Sequence, residues 1–496
     1  MLKKHKFTFL SFLLIFALLL AGCGAESEPA PAEEPAAAEQ EPAEEEAAPE
    51  VEEPAEEEAA PEAEEPAEEP AEEAEQAEEP LTLTWGMWGS PAEIETHQQV
   101  ADAYMEANPD VTIELWAQPW GDYFTKLQTL WAAGDPAAIP DVVFLFPVPS
   151  YAADGVLENL DPYIEESGMD LGDYWPDTIK TTSLDGSVYG FARDIGLEVL
   201  YYNKDHFDEA GLDYPDESWT WDDLRAAAEA LTITSDAGRV ERYGLGMEGG
   251  KYGQFLISNG GGLFDDTFNP SACWLDTPES IAALDFIAGM MNDEIAMRDA
   301  NLNQAGGDAA VFQSEQVSMI VQNASRVPIF NEAGMNYDVA PVPFAPGGER
   351  ATGAGGAAWA MSAASDNKEA AWDYIEFLQS LDGGLSIYPA SGEAFPPLRP
   401  VAESDVWLGN EVLPEGREAW LIQAEGATAQ TQGFFDEWND INGTIISPAL
   451  TSIWAGEAAP ADVMPDVCDQ AEDCLLYTSD AADDRRGGWV AGGGGG

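Results

Sequence analysis

The sequence predicts an α/β fold, and three observations carry that prediction. Short apolar or alternating runs begin at Leu81, Val111 and Asp141, and helical spacing follows the first two. Alternating strand and helix imply a parallel sheet with helices packed on its faces. The stretch 81–473 is long enough for two well-packed domains, and the chain's 16 Trp, 15 Tyr and 20 Phe can fill large cores. Only 4 Cys occur in 496 residues, so the core and not a disulfide framework must hold the fold.

The elements follow in order. Lys3, Lys4 and Lys6 precede an apolar run from Phe7 to Leu20, which is too short for an ordinary membrane span. The LAGC run at 20–23 resembles the bacterial lipobox. That resemblance implies a lipoprotein signal over 1–23, cleavage before Cys23 and diacylglycerol on the Cys23 sulfur. Each buried CH₂ of such a chain contributes roughly 0.8 kcal/mol, so a multiply acylated cysteine anchors firmly. Residues 24–80 hold 25 Glu, no base, and mostly Ala and Pro otherwise. PAEEEAAPEVEE at 42–53 returns as PAEEEAAPEAEE at 54–65. Nothing there can be buried, so the segment reads as an extended, disordered tether.

The body opens with LTLTWGMWGS, an alternating strand pattern. A helix is predicted over 92–107, with Val100, Tyr104 and Met105 on one side. VTIELWAQ at 111–118 reads as a strand, 123–133 as a helix and DVVFLF at 141–146 as a short buried parallel strand. Later helices are predicted at 220–232, 277–292, 367–380, 415–425 and about 440–455. Strands fall at 243–247, 318–322 and within 352–362. In such sheets ligands lie beyond the carboxyl ends of strands. That rule points to Trp88, Gly89 and Ser90 after the first strand, Trp120 and Asp122 after the second, and Phe146 and Val148 after the third. Residues 189–202 have the composition of a strand pair passing between two lobes, with Asp194 beside that crossing.

Composition excludes several classes. With 94 acids against 19 bases the net charge is −75, so nucleic acid would be repelled. The body's two histidines, His97 and His206, sit in polar helical stretches and are expected to face solvent. No metal-ligand spacing occurs, no cofactor motif is present, and GGAG at 353–356 lacks the lysine of a phosphate loop.

The run VYGFARDIGLEVLYYNKDHFDEAGLDYP at 188–215 resembles a segment of the family 1 extracellular solute-binding proteins, the sugar receptors of ABC importers. LTLTWGMWGSPAE, PWGDYFTKLQTLWAAGDPAAIPDVV, SWTWDDLRAAAEALT, FQSEQVSMIVQNAS and GGAAWAMSAASDNKEAAWDYIEFL agree in the same order, so the resemblance spans roughly 81–468. It implies a periplasmic-binding-protein-like fold, with two lobes, a hinge and a ligand cleft between them. Lobe 1 would hold about 81–195 and part of 340–400; lobe 2 would hold about 200–335 and the C-terminal helices. It implies no enzyme but a monomeric receptor, tethered outside the cell membrane, which hands a sugar or oligosaccharide to ABC permease subunits. Asn259 opens an NGGG turn similar to the family's, and Gly355, Gly356 and Trp359 lie where the family places ligand-facing groups. One departure stands out: after the 318–322 strand many members carry Gly-Ser-Trp, where this chain has Asn323, Ala324, Ser325 and Arg326.

Sugars present hydroxyls at the rim and C–H bonds on the ring faces. Carboxylates such as Asp194 and planes such as Trp88 suit them, although each Trp also fits an ordinary core position. Two rival functions remain open. An acidic, Trp-rich cleft would suit a cationic solute of polyamine type through cation–π contacts. So many carboxylates also permit a glycosidase pair.

The family packs its terminal helices against a lobe, a placement in which Cys273 and Cys468 can meet. A disulfide and two buried thiols both fit that placement. From Cys474 onward, CLLYTSDAAD resembles the in-frame translation of a sequencing adapter, and the closing glycines resemble translated poly-G. Residues 474–496 are therefore expected to be foreign to the natural chain.

Overall fold

The computed structural model describes residues 81–488, apart from Ser90 and Asp436. The expected signal, lipidated Cys23 and tether lie outside the described residues, as does Ser90. The chain divides at Glu75, and all described residues belong to the unit Gln76–Gly496. Two sheets organise it. Their strands, in chain order, are β1 (Leu81–Trp88), β2 (Val111–Gln118), β3 (Val142–Leu145), β4 (Gly190–Ala192), β5 (Val199–Asn203), β6 (Val240–Gly246), β7 (Ala296–Met297), β8 (Val317–Gln322), β9 (Tyr337–Pro341) and β10 (Ala358–Met361).

The first sheet has the order β2-β1-β3-β10-β4. β1 runs parallel to β2 and β3, with Leu81 opposite Val111 and Trp88 opposite Gln118. Alternation along β1 sends Leu83, Trp85 and Met87 into one core. There they meet Val100 and Tyr104 of the helix Pro91–Ala107 and Trp372, Tyr374 and Ile375 of the helix Lys368–Leu378. The opposite face packs Val143 and Leu145 on Tyr123 and Leu127 of the helix Trp120–Ala133. That helix stops at Gly134, whose φ of 68° lets its N–H reach back to the Leu130 carbonyl at 3.1 Å. Each large apolar side chain buried this way stabilises the fold by roughly 1.5–3 kcal/mol.

The second sheet has the order β7-β6-β8-β5-β9, with Ile233–Thr234 paired to β6. It is covered on both faces. One face packs against the helices Trp221–Leu231 and Pro278–Asn292 and the C-terminal helices; the other packs against Phe312, Phe330, Trp407 and Trp420.

The expected parallel pairing holds for β1, β2 and β3, but each sheet is mixed. β10 runs antiparallel to β3 and β4, and β5 runs antiparallel to β8 and β9. The cause is the chain path, since strands that enter a lobe from its neighbour arrive from the opposite end. The second sheet also continues through Pro341, beyond the boundary near 335. The 352–362 segment splits into Thr352–Gly353, paired with Ala427–Thr428, and β10. The predicted 440–455 helix begins as Trp438–Ile441, passes through a π-helical stretch, and ends as Ser447–Trp454. Cys273 and Cys468 are joined as a disulfide, which ties the helix Pro460–Gly488 to the second lobe. Among the described residues no helix is long and apolar enough to cross a membrane.

Candidate functional site

Three stretches of chain pass between the lobes, 193–198, 352–357 and 394–402, and a lobe 2 segment, 427–434, lies against the second of them. The first two are bonded to each other: the Arg193 N–H donates to the Ala357 carbonyl at 3.0 Å and the Gly196 N–H to the Gly355 carbonyl at 3.2 Å. The third joins the first through the Ile195 N–H, which donates to the Phe395 carbonyl at 3.2 Å, and the segment 427–434 joins the second through the Ala354 N–H, which donates to the Thr428 carbonyl at 2.9 Å. Gly356 is required here, because a Cβ on it would stand 2.1 Å from the Asp194 carbonyl oxygen.

A cavity of about 160 Å³ lies at this junction, lined by the first two crossings, by the segment 427–434 and by both lobes. Lobe 1 supplies Phe146, at the carboxyl end of β3. The first two crossings supply Gly196, Glu198, Gly353 and Gly355, and lobe 2 supplies Gly250, Lys251, Gly253 and Gln254, with Thr431 and Gln432 on the segment 427–434. Glu198 is the organising carboxylate: Lys251 Nζ lies 2.8 Å from its Oε1, and Gln254 Nε2 donates to its Oε2 at 2.5 Å. Glu198 Oε2 and Oε1 are thus both engaged from the second lobe. A neighbouring cavity of about 330 Å³ shares Gly250, Thr431 and Gln432 and adds Tyr252, Trp438, Trp454 and Asp299.

The predicted residues distribute around this junction unevenly. Phe146 and Gly355 line the cavity, and Asp194 and Gly356 touch each other beside it. Asp194 is held by Arg193, with Nη2 at 2.5 Å and Nε at 2.9 Å from its Oδ2. Burial works against the Arg193 charge, but the Asp194 and Glu393 carboxylates outweigh it and raise the Arg193 pKa. Burial also pushes the Glu393 carboxyl above its usual range.

Trp88 is half-buried and stacks on Phe144 at 4.2 Å, with Trp120 meeting it edge-on at 5.0 Å. Trp120 is the outermost member of that aromatic group, 59% exposed. Gly89 packs against Glu93, and Asp122 is spent on the exposed ion pair with Lys126, 3.2 Å away.

Four expectations are corrected. Trp359 is fully buried between Trp85 and Phe144, because β10 is a central strand and turns that side chain into the core. Asn259 turns away from the cavity, since its Nδ2 donates to the Glu279 carbonyl at 2.8 Å. His97 is buried, with Nδ1 2.6 Å from the Tyr388 hydroxyl; burial first and Arg193 second hold its pKa well below the ordinary value. His206 is buried as well, 3.0 Å from the Ser318 hydroxyl.

Glu198, Lys251, Gln254, Thr431 and Gln432 were not singled out from the sequence. A signal did exist for Glu198, a lone charge inside the apolar run IGLEVLYY. Thr431 and Gln432 lie on irregular backbone and carry no such mark.

Two lobes joined by three crossings, with a cavity at the junction, define a hinged solute-binding protein. A family model for bacterial extracellular solute-binding proteins matches residues 88–384, and the chain belongs to that family. It is a family 1 member of these proteins, and the family binds solutes rather than transforming them. A putative binding protein of Brucella abortus is 26% identical over 394 residues, 76% of this chain and 89% of that one. A maltooligosaccharide ABC transporter solute-binding lipoprotein of Streptococcus pneumoniae is 27% identical over 310 residues, 60% of this chain and 68% of that one. Among solved structures, an ABC substrate-binding protein of Listeria monocytogenes in complex with cycloalternan superposes with a TM-score of 0.67. It is 24% identical, with 81% of this chain and 99% of that chain covered. This likeness defines the two-lobed fold.

Proposed function

We propose that this protein captures a sugar or oligosaccharide outside the cytoplasmic membrane and delivers it to an ABC permease, tethered as a monomer by lipid on Cys23. The observation that carries the reading is the cavity at the lobe junction. Glu198, Lys251, Gln254, Thr431 and Gln432 offer it donors and acceptors from both sides, and Phe146 offers a flat apolar face. Hydroxyls suit the first set and pyranose C–H faces suit the second. The relatives' ligands, maltooligosaccharides and cycloalternan among them, are carbohydrates and support the same class. The cation reading fares worse, because the one carboxylate that lines this cavity among the described residues is already paired with Lys251.

Thermal-shift titration of the full-length protein with maltotriose, lactose and spermidine tests the reading. A rise in melting temperature with a sugar is expected. A rise with spermidine alone would replace it with the cationic-solute reading, and cleavage of a chromogenic glycoside would replace it with an enzyme. Mass spectrometry of the membrane fraction tests the anchor, with acyl chains expected on Cys23.

A further inference from the structure

The segment 427–434 carries Thr431 and Gln432 into the cavity, yet no strand of either main sheet fixes it. Its start pairs with Thr352–Gly353, and two further contacts hold the part that follows. From lobe 1, Asp177 Oδ2 accepts from the Ala429 N–H at 3.0 Å. Asp177 does so from a left-handed backbone, φ 60°, a costly conformation that the surroundings must hold in place. From lobe 2, the fully buried Thr267 makes two bonds: its hydroxyl donates to the Ala429 carbonyl at 2.9 Å, and its carbonyl accepts from the Phe434 N–H at 2.7 Å. Beside it, Phe268 stacks on Phe434 at 5.0 Å and 11°, and Lys180 Nζ of lobe 1 sits 4.8 Å over the Phe268 ring.

Thr267 and Phe268 stand at the tip of a closed loop. Phe264 bridges Cys273 at its base, and the Asp265 carboxylate accepts from the Ser271 and Ala272 N–H groups at 2.8 and 3.0 Å. The base is fixed twice to the C-terminal helix, by the Cys273–Cys468 disulfide and by Glu472 Oε1, which accepts from the Cys273 N–H at 2.9 Å. Rigid anchorage at the base, with bonds from the tip to either side of Thr431 and Gln432, is the geometry of a clamp.

We infer that the loop 263–273 positions the segment 427–434 for ligand binding, with Thr267 as its positioning residue and the Cys273–Cys468 disulfide as its anchor. Its link to ligand rests on the functional reading above; its mechanical part does not.

Hydrogen exchange of the full-length protein, read over 427–434 with β8 as internal reference, tests the mechanical part. Thr267→Val is expected to speed exchange there by about three- to tenfold, the worth of one buried hydrogen bond. Thr267→Ser is expected to restore it. Reduction of the disulfide is expected to speed the same segment while β8 stays protected. Equal exchange in all forms overturns the clamp. Equal loss of protection in β8 also overturns it, because Thr267 is then only a core hydroxyl. Maltotriose release is the second measurement, with a faster off-rate expected in Thr267→Val at unchanged melting temperature. Binding by both proteins with equal off-rates overturns the link from clamp to cavity. If the wild type binds no carbohydrate, the functional reading falls alone, and exchange over 427–434 still decides the clamp.

Discussion

Replacing Glu198 by Ala removes the carboxylate at which the first crossing meets the second lobe. The side chains of Glu198 and Lys251 are 21% and 11% exposed, so little water can replace the lost partner. A hydrogen bond to a charged group contributes about 1.5–3 kcal/mol, and Glu198 makes two, to Lys251 and Gln254. An ammonium left buried and unpaired adds its own desolvation cost. Allowing for the remaining exposure, Glu198→Ala should cost about 2 kcal/mol of stability. Lys251→Met should cost less, and the double variant less than the two singles together, because no lone charge remains. Urea unfolding of the four proteins closes the cycle, with a coupling of about 1–2 kcal/mol expected. Additive effects within about 0.5 kcal/mol would refute the reasoning and leave the pair as two independent surface charges.

Trp120→Ala should weaken maltotriose binding by about 0.5–1.5 kcal/mol with stability unchanged, while Trp88→Ala, which unstacks Phe144, should lower stability by about 2 kcal/mol; calorimetry and urea midpoints separate the two. Gly356→Ala should lower the urea midpoint strongly, since its Cβ meets the Asp194 carbonyl oxygen at 2.1 Å and one crossing must move; an unchanged midpoint would show that the crossings slide freely. Burial holds His97 neutral in the fold while the unfolded chain titrates near 6.5, so the unfolded state binds more protons on acidification. The His97 contribution should therefore be intact above pH 6.5 and fall progressively below it, and His97→Gln should flatten that part of the stability profile. Small-angle scattering should show compaction on binding, as the lobes close about the three crossings; an unchanged radius with binding proven would exclude a hinge.

What could be read from the sequence follows from the range of the interactions involved. β1 and β2 are local patterns of period two and β3 is a short continuous apolar run, and Leu83, Trp85 and Met87 announce a buried face by themselves. Strand direction is not local. β10 is antiparallel because its chain has just left the other lobe, and nothing in AWAM encodes that route. His97 misled because its neighbours Glu93, Glu95 and Gln98 are polar; the ring faces Trp85 and Trp359, and the latter is 262 positions away. Trp359 misled in the converse way, since an aromatic beside glycines resembles a ligand platform until its strand is placed mid-sheet. Thr267 and Ala429 are bonded across 162 positions, which no spacing rule reaches.

The acidic surface and the cavity carry different physics. A charge of −75 gives the exterior a strong field, but salt near 0.1 M screens it within about 10 Å. Inside the cavity the Glu198 carboxylate is matched by the Lys251 ammonium, so the lining presents oriented dipoles and no net charge among the described residues. A neutral polyol is not steered by the field and loses nothing to it. Its affinity then depends on the directions of the Gln254, Thr431 and Gln432 groups. Gln254, Thr431 and Gln432 ride on lobe 2, the last two on a segment also tied to lobe 1 through the Asp177–Ala429 bond, whereas Phe146 rides on lobe 1. Rotation of one lobe against the other must therefore change the distances from Phe146 to these groups. A ligand that touches both sides binds one interlobe angle best, and by the same differential affinity it stabilises that angle.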